Sequence, residues 1–199
     1  ASNGLVIIDG SIATYTPDAD FNGSDSFIFS VSDGELSDQA EVVLTVDPVN
    51  DAPILVTLSD IIFNEDENGL VTLSGDDVDG DDLIFSISGG TEIEATLDNN
   101  IVFLVPPSNF NGSESFTATV SDGELSDSQS FTVTVTAVND APIATIGLSG
   151  STNEDQSVVI SLSASDIDGD NLTFSLDSDA SNGFVTVNGT FATYTPNQD

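Results

Sequence analysis

Two short strings of carboxylates carry the chemistry that this chain could do. Asp77-Val78-Asp79-Gly80-Asp81 and Asp166-Ile167-Asp168-Gly169-Asp170 place acids at alternate positions around a glycine. In an extended loop, alternate side chains point the same way, so their oxygens can converge on one hard cation at about 2.3–2.6 Å. Without a cation, carboxylates this close raise each other's pKa and strain the loop. The plain alternative is a solvated acidic turn. It is weakened because the string occurs twice and no basic partner exists: 199 residues hold 35 acids and no Lys, Arg or His, a formal charge of −35. Self-repulsion on that scale opposes compaction unless counter-charges are bound, and they must come from solution.

The same imbalance excludes whole classes of function. Nothing here can neutralise a phosphate, so nucleic acid is not a partner, and anionic membrane surfaces repel the chain. No apolar run approaches the ~20 residues of a membrane span, so insertion is not expected. With no His, Cys or Lys, a nucleophile would need a carboxylate base, and no acid pair is marked as a glycosidase acid and base beside a cleft. The chain is therefore expected not to be an enzyme and to have no catalytic residues. Carbohydrate or homophilic ligand binding is the alternative class, but Trp is absent and Tyr15 and Tyr194 hold equivalent positions that suit strand anchoring. Disorder, common in acidic chains, is opposed by 38% hydrophobic residues and 12 Phe. An EF-hand is excluded by spacing: with Gly80 at loop position six, Gly75 and Ser86 stand where the end ligands belong, and Ala164 and Ser175 do so in the copy.

The elements that must position these acids come in a tandem repeat. Val49-Asn50-Asp51-Ala52-Pro53-Ile54 returns as Val138-Asn139-Asp140-Ala141-Pro142-Ile143, 89 residues on, and the offset holds for Asn64-Glu65-Asp66 and for Phe21-Asn22-Gly23-Ser24. Three segments follow: 1–50 as the back half of a unit, 51–140 as one complete unit and 141–199 as the front half of a third. The sequence opens and closes in mid-repeat, so a window cut from a longer protein is expected. Half-units could complete each other between copies in a filament, but 1–20 and 180–199 are the same strands, which argues against it. Alternating apolar runs predict seven strands in the complete unit, at 54–58, 70–73, 83–87, 91–97, 101–105, 115–121 and 129–136, with no helical period. Asp9-Gly10 reads as a type I′ hairpin turn. Phe27, Phe29, Phe85, Phe116, Val120, Phe131, Val133 and Phe174 hold one strand face and are expected in the core. Seven short strands in about 90 residues fit an antiparallel sandwich.

Together these strings resemble known repeats. Ala164-x-Asp166-x-Asp168 resembles the A-x-D-x-D motif of cadherin repeats, Asn50-Asp51-Ala52-Pro53 their linker, Asn64-Glu65-Asp66 their early Glu motif, and Ser121-Asp122-Gly123-x-Leu125-Ser126 their later D-G-x-L-S motif. The set is similar to the bacterial cadherin-like repeats of very large secreted, RTX-type adhesins, and covers essentially the whole chain. The resemblance implies an all-β fold of tandem cadherin-like or Ig-like Greek-key β-sandwiches in a linear array. It implies Ca2+ at the junctions between neighbouring repeats, one or two ions each. The first junction would use Asn50, Asp51, Asp77, Asp79 and Asp122, and the second Glu65, Asn139, Asp140, Asp166 and Asp168. The D-R-E motif of cadherins has no clear counterpart, although Asp25 and Glu114 lie nearby. The implied function is a calcium-rigidified spacer of an extracellular, cell-surface adhesin or filament. Its partners would be calcium ions, neighbouring repeats and, in a filament, other copies.

Overall fold

A computed structural model describes residues 1–198, and among them the regular structure is entirely strand, with no helix. Residues 1–50 supply β1 (Gly4–Asp9), β2 (Ile12–Pro17), β3 (Gly23–Ser32) and β4 (Ser37–Val46). Residues 51–140 supply β5 (Ile54–Leu55), β6 (Ile61–Asn64), β7 (Gly69–Thr72), β8 (Gly75–Asp76), β9 (Ile84–Gly89), β10 (Glu94–Asp98), β11 (Ile101–Val105), β12 (Gly112–Ser121) and β13 (Ser126–Thr136). The remainder supplies β14 (Ile143–Ala144), β15 (Val158–Ser161), β16 (Ala164–Ser165), β17 (Gly183–Asn188) and β18 (Phe191–Pro196). The chain divides into two compact units that cut across the 89-residue repeat. One comprises Ala1–Ile61, Gly69–Val105 and Glu114–Val133; the other comprises Ile62–Asn68, Pro106–Ser113 and Thr134–Asp199.

The complete repeat is a β-sandwich. One sheet runs β6-β13-β12-β9 and the other β10-β11-β7, with β5-β8 as a short pair. Register follows the hydrophobic alternation: Val120 lies opposite Phe85 and Phe116 opposite Gly89, while Val102 pairs with Leu97 and Val71. The apolar residues below about a tenth exposure, apart from Ala192, all lie between Pro53 and Val135. Phe116 and Phe131 stack at 5.9 Å between ring centroids.

Three expectations need correction. The segment expected as one strand at 54–58 stops after Leu55, because the Gln129 side chain takes the ladder's place. Its Oε1 accepts from the Leu58 amide at 3.1 Å and its Nε2 donates to the Leu55 carbonyl at 2.8 Å. The chain then re-enters a sheet as β6, and β6 and β8 were not foreseen. The hairpin turn is centred on Gly10-Ser11, since Asp9 pairs with Ile12; only Gly10 takes positive φ (61°), the type II′ pattern. Finally, Phe116, Val120, Phe131 and Val133 are buried, but Phe27, Phe85 and Phe174 are half-buried and Phe29 is 39% exposed. Four strands from residues 1–50 form only two two-stranded pairs. They cannot close over Phe29 as two full sheets close over Phe116.

Candidate metal centres

The turn after β8 is folded by its own first acid. Asp77 Oδ1 accepts the amides of Asp79, Gly80 and Asp81 at 2.9, 3.0 and 3.3 Å. Gly80 sits at φ 81°, a left-handed position that glycine occupies without strain. One Asp77 oxygen thus shapes the loop, and the other, Oδ2, is buried and accepts no hydrogen bond among the described residues. Carboxylate oxygens of Asp77, Asp79 and Asp81 come within 4.8 Å of one another. The linker docks here: the Asp51 amide donates to Asp79 Oδ2 at 2.8 Å. Asn50 Nδ2 donates to Asp122 Oδ2 at 2.9 Å, and Asp122 Oδ1 accepts the amides of Glu124 and Leu125, both at 2.7 Å. The Leu125 amide, the Asn50 side chain and the Glu124 amide hold the Asp122 carboxyl below the usual carboxylate range.

The second cluster repeats the plan in the other unit. Asp166 Oδ1 accepts the amides of Asp168 and Asp170, both at 3.1 Å, and the Asp140 amide donates to Asp168 Oδ2 at 2.7 Å. Here Glu65, only 3% exposed, brings a carboxylate oxygen within 4.8 Å of those of Asp140 and Asp168. It is aimed by the Val138 amide, which donates to Oε1, and by its own amide, which donates to the Thr136 carbonyl at 2.9 Å. Asp140 Oδ2 is, among the described residues, the second buried side-chain oxygen without a hydrogen bond. Burial pushes the Asp140 carboxyl up, and the charges of Asp168, Asp66, Glu65 and Asp166 add to it. Asn139 faces its own linker, donating to the Asp140 carbonyl at 3.0 Å.

The structure therefore gathers the carboxylates of Asp77, Asp79 and Asp81, with Asp51 joined through its backbone amide, and those of Glu65, Asp140 and Asp168, with Asp166 shaping the turn beside them. Asn50, Asp122 and Asn139 are engaged in hydrogen bonds beside them. Asp25 and Glu114, the acids nearest the missing cadherin motif, do something else. Glu114 accepts from the Thr91 hydroxyl and from the amides of Thr91, Glu92 and Ile93. Asp25 accepts from the amides of Ser2, Asn3 and Ser26 and from the Tyr15 hydroxyl. Both clamp a loop. Burial raises the Glu114 carboxyl, but the Thr91, Glu92 and Ile93 donors outweigh it and bring it to about 2.

Asp81, part of the first acidic string but not carried into the expected ligand set, joins Asp77 and Asp79; two further lining residues escaped the reading of the sequence. Asp20 lines a cavity with Asp51, Asp76 and Asp77, and Asn109 lines one with Asp140 and Asp166. Residues 20 and 109 stand 89 apart, a signal that could have found them.

The donor set is all oxygen, the chain has no cationic side chain, and each cluster holds one buried oxygen without a partner. Buried carboxylate oxygens are normally satisfied. A hard divalent cation fits, and calcium, which accepts six to eight oxygens in flexible geometry, fits better than magnesium.

Comparison with known proteins supports the same architecture. The bacterial Ig domain family matches residues 1–45, 50–136 and 139–199. No curated protein matches the chain. Among solved structures, mouse protocadherin-24 EC1-3 is 19% identical over 100% of this chain and 74% of its own, with a TM-score of 0.54. Human protocadherin-24 EC1-2 is 20% identical over 75% of this chain and 79% of its own, at 0.45. An endo-fucoidan hydrolase of glycoside hydrolase family 107 is 18% identical over 98% of this chain, at 0.36. This chain spans 33% of that hydrolase's length.

Proposed function

The chain belongs to the bacterial Ig domain family, and from that premise we propose that it is a calcium-rigidified spacer in an extracellular bacterial adhesin or filament. Its repeats would be 1–50, 51–140 and 141–199, each joint lying where an Asn-Asp-Ala-Pro linker meets an acidic turn. The observation that carries this reading is the pair of buried oxygens without hydrogen bonds, Asp77 Oδ2 and Asp140 Oδ2. They stand beside linker amides fixed in the same way, 89 residues apart.

Asp51, Asp77, Asp79 and Asp81 would hold calcium at the first joint. Glu65, Asp140, Asp166 and Asp168 would hold it at the second, with Asn50, Asp122 and Asn139 bracing the linkers. A bound divalent cation supplies the positive charge that this chain lacks. The protein's part is to hold linker and turn together before the ion arrives, through the Asp51–Asp79 and Asp140–Asp168 bonds. Gathering several carboxylates is unfavourable alone and is offset only while the ion is bound, so stiffness follows calcium concentration. Extracellular calcium modules bind at about 0.1–1 mM, which places the transition at extracellular levels.

Small-angle scattering during a calcium titration tests the reading. The maximum dimension is expected to grow and sharpen with calcium and to fall with chelator. A parent chain equally extended in chelator rules the spacer mechanism out.

A further inference from the structure

We propose that the residue at position 20, and its equivalent 109, sets the calcium affinity of its joint, so that the two joints respond at different calcium concentrations. This rests on the calcium reading above and adds a specificity-determining position to it. Asp20 lines the cavity that also receives Asp51 and Asp77, the acid whose Oδ2 is buried without a partner. It lines a second cavity with Asp51 and Asp79. Asn109 lines the corresponding cavity with Asp140, again the acid with the partnerless oxygen, and with Asp166. The two positions therefore face the same kind of site, one with a carboxylate and one with an amide.

Their backbones match as well as their surroundings. Asp20 sits at φ 59° and Asn109 at φ 57°, a left-handed conformation that Asp and Asn adopt more readily than other side chains. Both side chains are exposed, so neither is committed to a core. The Asn109 amide reaches Asp66 Oδ1 at 3.4 Å, and an exchange of side chain leaves that backbone contact in place. Asp and Asn have the same shape, so exchanging them alters one unit of charge at the cavity and little else. Affinity for calcium rises with the number of charged ligands. One unit charge about 5 Å from a divalent ion, under water-like screening, is worth roughly tenfold in affinity.

The experiment is a calcium titration of the whole chain by amide NMR, following the linker amides of Asp51 and Asp140 as separate reporters. Asp20→Asn is expected to raise the calcium midpoint at Asp51 about tenfold and leave Asp140 unchanged; Asn109→Asp is expected to lower the midpoint at Asp140 by a similar factor and leave Asp51 unchanged. The reciprocal pair guards against misfolding, since one substitution weakens binding and the other strengthens it. If the parent responds at both linkers but neither variant moves its midpoint by more than about twofold, this inference fails and the spacer reading stands. If the parent responds at neither linker, both fail together.

Discussion

The backbone amide of Asp140 donates a 2.7 Å hydrogen bond to Oδ2 of Asp168, tying a linker directly to an acidic turn. The Asp51 amide makes the same bond to Asp79 at 2.8 Å. A bond from a neutral donor to a carboxylate orders the linker, but burial, and after it the charges of the neighbouring acids, push the Asp140 carboxyl up. Backbone amides thus join linker and turn at both sites, and the chain supplies no cationic side chain to the acids gathered there.

Removing charge from one turn should disable one joint. Asp166→Asn with Asp168→Asn keeps side-chain size and the oxygens that accept the turn amides, and it removes two charges from the second cluster. Calorimetric titration is expected to lose the second joint's calcium binding and retain the first's. Loss at both joints would show that they are not independent.

Glu65 offers a sharper probe, because it is buried and reaches its cluster from the turn after β6 rather than from the acidic turn after β16. Glu65→Gln retains an oxygen for the Val138 amide, so the sandwich should stay folded. Affinity at the second joint is expected to fall roughly tenfold, the effect of one ligand charge on a divalent ion. The Asp140 amide shift during titration reads this directly.

Much of this site was legible in the sequence because the repeat supplied each acidic string twice. Asp77, Asp79, Asp166 and Asp168 announced themselves by spacing, and the 89-residue offset identified the linkers. Position 20/109 was not singled out, because one copy is Asp and the other Asn, so no acidic string repeats there. The strands of the complete repeat were largely readable from alternation, since Val120, Phe116 and Val133 lie between two full sheets. Phe29 was misjudged because alternation identifies which face points inward and says nothing about whether a second sheet covers it. The break after Leu55 was hidden too: it depends on Gln129, more than seventy residues away, whose side chain replaces the ladder.

That difference in cover predicts unequal core energetics. Phe116→Ala removes a fully buried ring and should destabilise the complete repeat by about 3–5 kcal/mol. Phe29→Ala, at a site already 39% exposed, should cost under about 1.5 kcal/mol. Chemical denaturation followed by circular dichroism measures both, and similar losses would contradict the burial pattern.

The loop clamp at Glu114 gives a pH signature. Its carboxyl is lowered from the ordinary 4.5 to about 2 by donors from Thr91, Glu92 and Ile93. A carboxylate whose folded pKa is depressed contributes stability that is present above about pH 4.5 and is lost as pH falls toward 2. Protection of the Glu92 and Ile93 amides against hydrogen exchange, taken relative to the intrinsic rate at each pH, should therefore fall in that window. Glu114→Gln should flatten the dependence and lower stability at neutral pH by about 1–3 kcal/mol, the range for bonds to a charged group.

The last prediction separates joint from core. Chelation leaves clustered like charges at each linker, while the buried residues between Leu55 and Val135 lose no apolar contact. Repulsion among exposed acids is screened within about 10 Å at 0.1 M salt, so it acts locally on the linkers and weakly on the sandwich interior. Segments 46–54 and 135–143 should therefore become protease-sensitive in chelator before the sandwich strands unfold. Trypsin cannot report this, because the chain has no Lys or Arg, so a protease of broad specificity is needed. Mass spectrometry of early fragments is expected to place the first cuts in those two segments, with cleavage suppressed by millimolar calcium. Raising salt in chelator should slow the cuts in part, since screening relieves repulsion without supplying a ligand. First cuts within β12 or β13 would mean that calcium holds the sandwich itself rather than the joint.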